Sequence, residues 1–170
     1  MSDIKLKKVF LVILSTLIGT FFVCEVQAAP KSRQASSKSV FVLAEEGNAN
    51  AQAKLGQMYQ TGNGVPQSYD EAAYWYQSAA RQGHPEAQYN LGRLFAMGKG
   101  VPQNYFNSYL WLNLAASKNP TERNVRARDQ AARYMRPREL AAAQAKSIAC
   151  VATEYEECSR PRGIRDIFRN

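Results

Sequence analysis

Gly62-Asn63-Gly64-Val65-Pro66-Gln67-Ser68-Tyr69 returns 36 positions later as Gly98-Lys99-Gly100-Val101-Pro102-Gln103-Asn104-Tyr105. Carried outward from this stretch, the same offset pairs Gly47/Gly83, Ala51/Ala87, Gln52/Gln88, Leu55/Leu91, Gly56/Gly92, Trp75/Trp111, Ala79/Ala115 and Ala80/Ala116. The full tally is 14 identities in 36 positions, where unrelated sequence of ordinary composition would give roughly two. A fixed period in the range of about 20–50 residues marks a stacked repeat, in which each unit buries its apolar face only against its neighbours.

Each unit reads as helix, turn, helix. The first helix of a unit, helix A, spans about 49–60, with Ala51, Leu55, Met58 and Tyr59 on one face. Gly62-x-Gly64-Val65-Pro66 ends it, because glycine permits left-handed backbone and proline cannot continue a helix. Helix B restarts at Ser68, with Glu71 placed for a capping box, and runs to about 82 before Gly83. The second unit repeats this with Pro85 in the first turn, helix A at 85–97, a loop at 98–103 and helix B at 104–117. Gly56 and Gly92 fall mid-helix, where glycine costs about 1 kcal/mol against alanine. Their recurrence implies a neighbouring helix that passes too close for a Cβ, and we expect it at the repeat-to-repeat contact. Trp75 and Trp111 share one phase of helix B and are expected in the core, as are most of the recurring aromatics.

Val40–Glu46 matches the end of a helix B, so the array begins with half a unit. After the second unit, Asn119-Pro120-Thr121-Glu122 opens a helix to about 134, with Pro120 read at its first position. Pro137 opens another to about 150. This pair lacks the Gly-x-Gly-Val-Pro loop and reads as a polar cap that hides the last apolar face of the stack.

Ala51-Gln52…Leu55-Gly56…Tyr59…Gly62-x-Gly64-Val65-Pro66-Gln67-x-Tyr69…Ala72…Trp75-Tyr76…Ala79-Ala80…Gly83 resembles the Sel-like repeat, a relative of the tetratricopeptide repeat. Trp111-Leu112-Asn113-Leu114-Ala115-Ala116…Met135-x-Pro137…Ala143-Gln144 resembles the terminal cap of bacterial members, except that Arg136 stands where the family has Ser or Thr, which weakens the last N-cap. The resemblance implies an all-α fold, a short right-handed α/α solenoid with a C-terminal helical cap. It covers about 40–150, with full repeats at about 48–83 and 84–119 and the cap at 120–150. It also implies a non-catalytic scaffold that binds another protein, with helix A lining the concave face. The outward phase of helix A is then Ala53, Gln57 and Gln60 in the first unit and Glu86, Tyr89, Arg93 and Ala96 in the second. We take Gln57, Gln60, Glu86, Tyr89 and Arg93 as candidate partner-binding residues.

The flanks address the compartment. Lys5, Lys7 and Lys8 precede an uncharged run from Val9 to Val23. Fifteen helical residues reach about 22 Å, short of a hydrocarbon core of about 30 Å. Val26 and Ala28 are small residues at the positions a signal peptidase reads. Residues 1–28 therefore read as a cleaved signal peptide, 29–39 as a flexible leader and 151–170 as a C-terminal tail, in a periplasmic or secreted protein without a stable membrane span. A lipid anchor on Cys24 would need a small residue where Val23 stands. Cleavage removes three lysines and two acids, taking the formal charge from +8 to +7. It also removes Cys24 and leaves Cys150 and Cys158, an even pair in a compartment where disulfides persist. Their gap is similar to that in a cysteine-rich branch of the family, where such a bridge ties one helix end to the next start, and we expect a disulfide. Residues eight apart on one helix are about 12 Å apart, whereas a bridge needs Cα atoms within about 7 Å. Bridge and unbroken helix across 137–158 exclude each other, and Val151–Glu157 contains no Gly or Pro to decide for the bridge.

Chemistry is sparse. Beyond residue 28 there is no Cys-x-x-Cys, His-Glu-x-x-His, Gly-x-Ser-x-Gly or Walker loop, and no Ser-x-x-Lys of the kind a β-lactamase-like hydrolase would use. No cofactor or metal is implied. Both Gly-x-Gly loops continue into Val-Pro-Gln, not into a helix N-terminus with lysine, so neither is a phosphate cradle. The single histidine, His84, reads as a turn or capping residue. A hydrolase or a binder of small molecules or cell wall is the alternative function. Arg123, Arg126 and Arg133 share a face within an arginine-rich stretch and form a candidate basic patch for an anionic envelope component. Export argues against nucleic acid.

Overall fold

The computed structural model describes residues 32–155 and Cys158, with side chains from Ser39 onward. The signal peptide read at 1–28, the start of the leader and the tail beyond Cys158 lie outside the described residues. Among the described residues there are seven helices and no strand: α1 (Ser32–Glu45), α2 (Ala49–Thr61), α3 (Tyr69–Arg81), α4 (Pro85–Met97), α5 (Tyr105–Lys118), α6 (Glu122–Ala132) and α7 (Pro137–Ala152). Consecutive helices from α1 to α6 pack on one another, and α7 turns back onto α5. The result is an all-α repeat solenoid in which α2–α3 and α4–α5 are the two full units.

The helix starts follow from side-chain caps. Asn48, Ser68, His84, Asn104 and Thr121 each accept a hydrogen bond from the backbone N–H three residues on, which satisfies one of the donors a helix start leaves orphaned. The shared Gln of the loop has a matching task at the other end. Gln67 Nε2 donates to the Gln60 carbonyl at 2.8 Å, and Gln103 Nε2 donates to the Ala96 carbonyl at 2.8 Å. A second amide clamps one unit to the next. Gln52 Nε2 donates to the Ala44 carbonyl and Gln88 Nε2 to the Ala80 carbonyl, both at 3.1 Å and both buried. Asn124 of α6, also buried, donates to the Asn119 carbonyl at 2.8 Å.

The mid-helix glycines mark a close approach, but within each unit and not between units. A Cβ on Gly56 of α2 would lie 2.8–3.0 Å from the ring of Tyr76 on α3. One on Gly92 of α4 would lie 2.7 Å from Leu112 Cγ and 3.1 Å from the Ser108 carbonyl oxygen, both on α5. The contact between units is made elsewhere: a Cβ on Gly100 would overlap the Tyr69 carbonyl at the start of α3. Tyr76, Leu91, Leu94, Leu110, Trp111 and Leu114 fill the main core.

Several sequence expectations are corrected. α1 begins at Ser32, inside the segment read as a flexible leader, because 32–39 holds no Gly or Pro and a helix already formed at 40–45 extends cheaply. Trp75 is only partly buried, and Tyr76 takes the central place. Pro120 lies before the cap and not at the first helical position, since Thr121 does the capping. At Arg136, Glu139 substitutes for a capping side chain. Its carboxylate accepts from the Arg136 N–H at 3.0 Å and pairs with the guanidinium at 2.6 Å, which holds the Glu139 carboxyl below its usual range. The outer side of α7 is not polar. Ala141, Ala145, Ile148 and Val151 are exposed there, and Ala143, Ser147 and Cys150 face inward.

Cys150 and Cys158 are bridged, with Cα atoms 5.1 Å apart and both residues buried in the main core. The helix ends at Ala152, and Glu154 and Tyr155 take left-handed φ values of 48° and 72°. Neither is glycine, so no sequence signal announced this turn. Tyr155 packs on the core beside Gly83, with Lys118 Nζ 5.1 Å from its ring and donating to the Gly83 carbonyl at 3.1 Å. Closing a loop of this length contributes about 2.6 kcal/mol by chain entropy.

The close approaches predict that Gly56→Ala and Gly92→Ala each lower the melting temperature, although alanine is the better helix former. Propensity favours the variants by about 1 kcal/mol, and overpacking costs about 1–3 kcal/mol. Thermal unfolding of both variants checks this, and a rise in either would contradict the packing argument.

Candidate functional site

The residues proposed for partner binding occupy different environments. Gln57 is exposed. Gln60 is committed to the fold: its Oε1 accepts a 2.6 Å hydrogen bond from the Tyr76 hydroxyl. Burial, and after it the Glu86 carboxylate, holds that hydroxyl well above its usual range, with Arg93 pulling the other way. Tyr76 therefore stays a neutral donor. Ala53, read as outward, is in the core.

Tyr89 is also not a free surface residue. It is 8% exposed because α6 covers it. The Arg123 guanidinium lies 4.2 Å from its ring centroid and that of Arg93 lies 5.7 Å away. Arg123 is at the same time ion-paired to Glu86 at 2.6 Å. Two sites that sequence reasoning kept apart, the α4 face and the basic stretch, thus meet in one latch of Glu86, Tyr89, Arg93 and Arg123. Elsewhere in the basic stretch several arginines are engaged in exposed ion pairs. Arg126 pairs with Glu122, Arg128 with Asp129 and Arg136 with Glu139. Arg133 is exposed and makes no ion pair among the described residues.

Beside the latch a cleft of about 400 Å³ opens between α4, α5 and α6. Its floor is Leu112, and its α4 side is Tyr89, Arg93, Ala96 and Met97. α6 contributes Ala127, Gln130 and Ala131, with Tyr134 just beyond its end. Tyr105 and Tyr134 stack at one edge, with centroids 4.5 Å apart and planes 12° apart. Arg93 is the one charged residue of the lining. The cleft exists because the units differ where they are not identical. Leu112 stands where the first unit has Tyr76, and Ala96 where it has Gln60. α4 lays Leu91, Leu94 and Phe95 against the preceding core, whereas α6 offers Ala127 and Ala131.

Sequence reasoning identified Tyr89 and Arg93 but missed Leu112, Tyr105, Gln130 and Tyr134. The available signal was the pair of mismatches Tyr76/Leu112 and Gln60/Ala96, which a search for identities passes over. His84 caps α4 through Nδ1, accepting from the Ala87 N–H at 3.2 Å. Burial lowers its pKa from the ordinary 6.5, with Glu86 and a backbone hydrogen bond opposing. Among the described residues, no three His, Cys, Asp or Glu side chains gather as metal ligands would, and no helix is long and apolar enough to cross a membrane.

Residues 49–84 and 85–120 each match the Sel1 repeat. Among solved structures, c5321, a protective antigen of uropathogenic Escherichia coli displaying an SLR fold, is 21% identical with a TM-score of 0.68, over 80% of this chain and 30% of its own. A Sel1 repeat protein from Oxalobacter formigenes is 34% identical with a TM-score of 0.48, over 52% of this chain and 36% of its own. The chain thus spans about a third of the length of these structures. At 21% identity the first likeness shows the fold alone. No curated protein matches the chain.

Two outcomes follow from the geometry. Tyr89→Ala removes a buried ring and is expected to cost about 3 kcal/mol, while Arg93→Ala, on the surface, stays within about 0.5 kcal/mol; denaturant titration of the two variants separates them. His84 contributes a pH dependence whose sign is fixed. The lowered folded-state pKa means that the unfolded chain takes up the proton first, so stability is full above about 6.5 and is lost as pH falls through the folded value. Protonated Nδ1 can no longer accept from Ala87. His84→Asn, which installs the Asn48 type of cap, is expected to flatten the melting temperature between pH 7 and 5.5 relative to wild type.

Proposed function

We propose that this chain, a Sel1-repeat protein by its repeats at 49–84 and 85–120, is a non-catalytic adaptor that holds another protein against its helix-A face. Sel1 repeats generally act in protein–protein interaction. The observation that carries the reading here is the cleft between α4, α5 and α6, rimmed by exposed Met97 and Tyr134 and by Arg93. Its walls belong to a rigid, capped stack, so the site is preformed and an incoming segment meets little reorganisation cost. Gln57 extends the same helix-A phase into the first unit.

The reading places the protein outside the cytoplasm, in the periplasm or secreted. It rests on the basic, then apolar, then small-residue run of 1–28 and on the Cys150–Cys158 bridge, since structural disulfides persist in oxidising compartments.

A photo-reactive benzoylphenylalanine placed at Gln57 or Arg93 in the envelope of the native host tests the adaptor role. Discrete protein adducts are expected from these positions and not from Glu71 or Ser117, exposed on helix B. Adducts from neither pair, or equally from both, would remove helix A as the binding face.

A further inference from the structure

We infer that the cleft takes an aromatic side chain from a peptide segment of the partner, with a neighbouring carboxylate seated on Arg93. This deepens the adaptor reading and rests on it. The molecule supplies its own template for the occupant. In the first unit the ring of Tyr76 lies against Gly56 and reaches Gln60 with its hydroxyl. In the second unit Gly92 faces the shorter Leu112 and the Ser108 carbonyl, and Ala96 stands in place of Gln60. Two side chains are shorter at matching positions and one is longer, Tyr89 in place of Ala53, and a cleft of about 400 Å³ lies beside all three. The volume suits one large side chain and a stretch of backbone, not a folded domain.

The walls select the kind of side chain. Tyr89 and the stacked Tyr105–Tyr134 pair make the lining rich in aromatic side chains, which favours another ring over an aliphatic group. Met97, half exposed at the rim, adapts to such a ring. Charge selects the neighbour. Arg93 makes no ion pair among the described residues, whereas Arg123 next to it is occupied by Glu86. Among the described residues no acidic side chain lines the cleft, and the chain carries a formal charge of +8. A carboxylate is the complement, and a basic segment is repelled.

An array of acetylated hexapeptides, varied at two adjacent positions and probed with the purified protein carrying its disulfide, tests this. Peptides pairing Phe, Tyr or Trp with Asp or Glu should be enriched. For the best of them, Arg93→Gln should weaken binding by up to about fivefold, the upper end for an exposed ion pair, and remove the acidic preference while the aromatic preference remains. The double variant Ala96→Gln, Leu112→Tyr places the first unit's longer side chains at two of the lining positions and should abolish binding, with circular dichroism showing that the variant used is folded. Three results would overturn the inference: no enrichment of aromatic-acidic pairs, binding unchanged in the filled variant, or a peptide of residues 159–170 outbinding all others, which would give the cleft to this chain's own tail. None of these touches the cross-linking result, so partner class and adaptor role fail separately.

Discussion

The contact between Gly56 and the ring of Tyr76, repeated as Gly92 against Leu112, sets the spacing of each helix pair. With no Cβ at that point, helix A and helix B of a unit come closer than a larger residue would allow. Everything downstream inherits this distance. The Gly-x-Gly-Val-Pro-Gln loop need span only a short gap, so one glutamine can close both units with the same 2.8 Å bond to the last turn of helix A. The next unit then lands where a buried amide can reach the carbonyl eight residues behind it. Loss of the seam would misplace all of these at once, which is why a residue with poor helix propensity recurs in the middle of a helix.

The same seam decides where the site lies. The residue facing the glycine is the innermost side chain of helix B, and its length determines whether the groove above it is filled. Tyr76 is long enough to cross the groove and bond Gln60. Leu112 is not. The second unit therefore leaves the groove open, and α6 with its alanines does not close it. Most positions shared by both units build the stack, and the cleft adds to shared Tyr105 positions that differ between them, Tyr89, Arg93, Ala96 and Leu112.

That division explains what was legible in the sequence. Helix boundaries in the repeats were readable to about a residue, because caps, loop glycines and the period report local backbone chemistry. The seam glycines were readable as a close approach, but not which helix approached, since periodicity carries no information about the partner. Tyr89 was placed on the outward phase correctly and in solvent wrongly. Its burial depends on Arg123 folding over it from α6, a contact between residues 34 positions apart. The turn after Ala152 was not legible, because Glu154 and Tyr155 hold left-handed backbone without the residue types that announce it. A tertiary constraint imposes that turn: the bridge to Cys150 on one side and the packing of Tyr155 beside Gly83 on the other.

The array's last unit has to end the stack and complete the binding groove at once, and the two tasks conflict. An ending helix must present little apolar surface outward, since no further unit will cover it, yet a groove needs a wall. α6 resolves this with short side chains. Ala127 and Ala131 pack without adding bulk, and the wall's height comes from outside the helix, in Tyr134 stacked on Tyr105. The latch of Arg123 on Glu86 and Tyr89 then anchors α6 to α4 at the opposite end of the same cleft. The wall is thus fixed at one end by an ion pair with a stacked guanidinium, at the other by a tyrosine pair, and along α5 by Ala127 and Ala131, while the cleft beside it stays open.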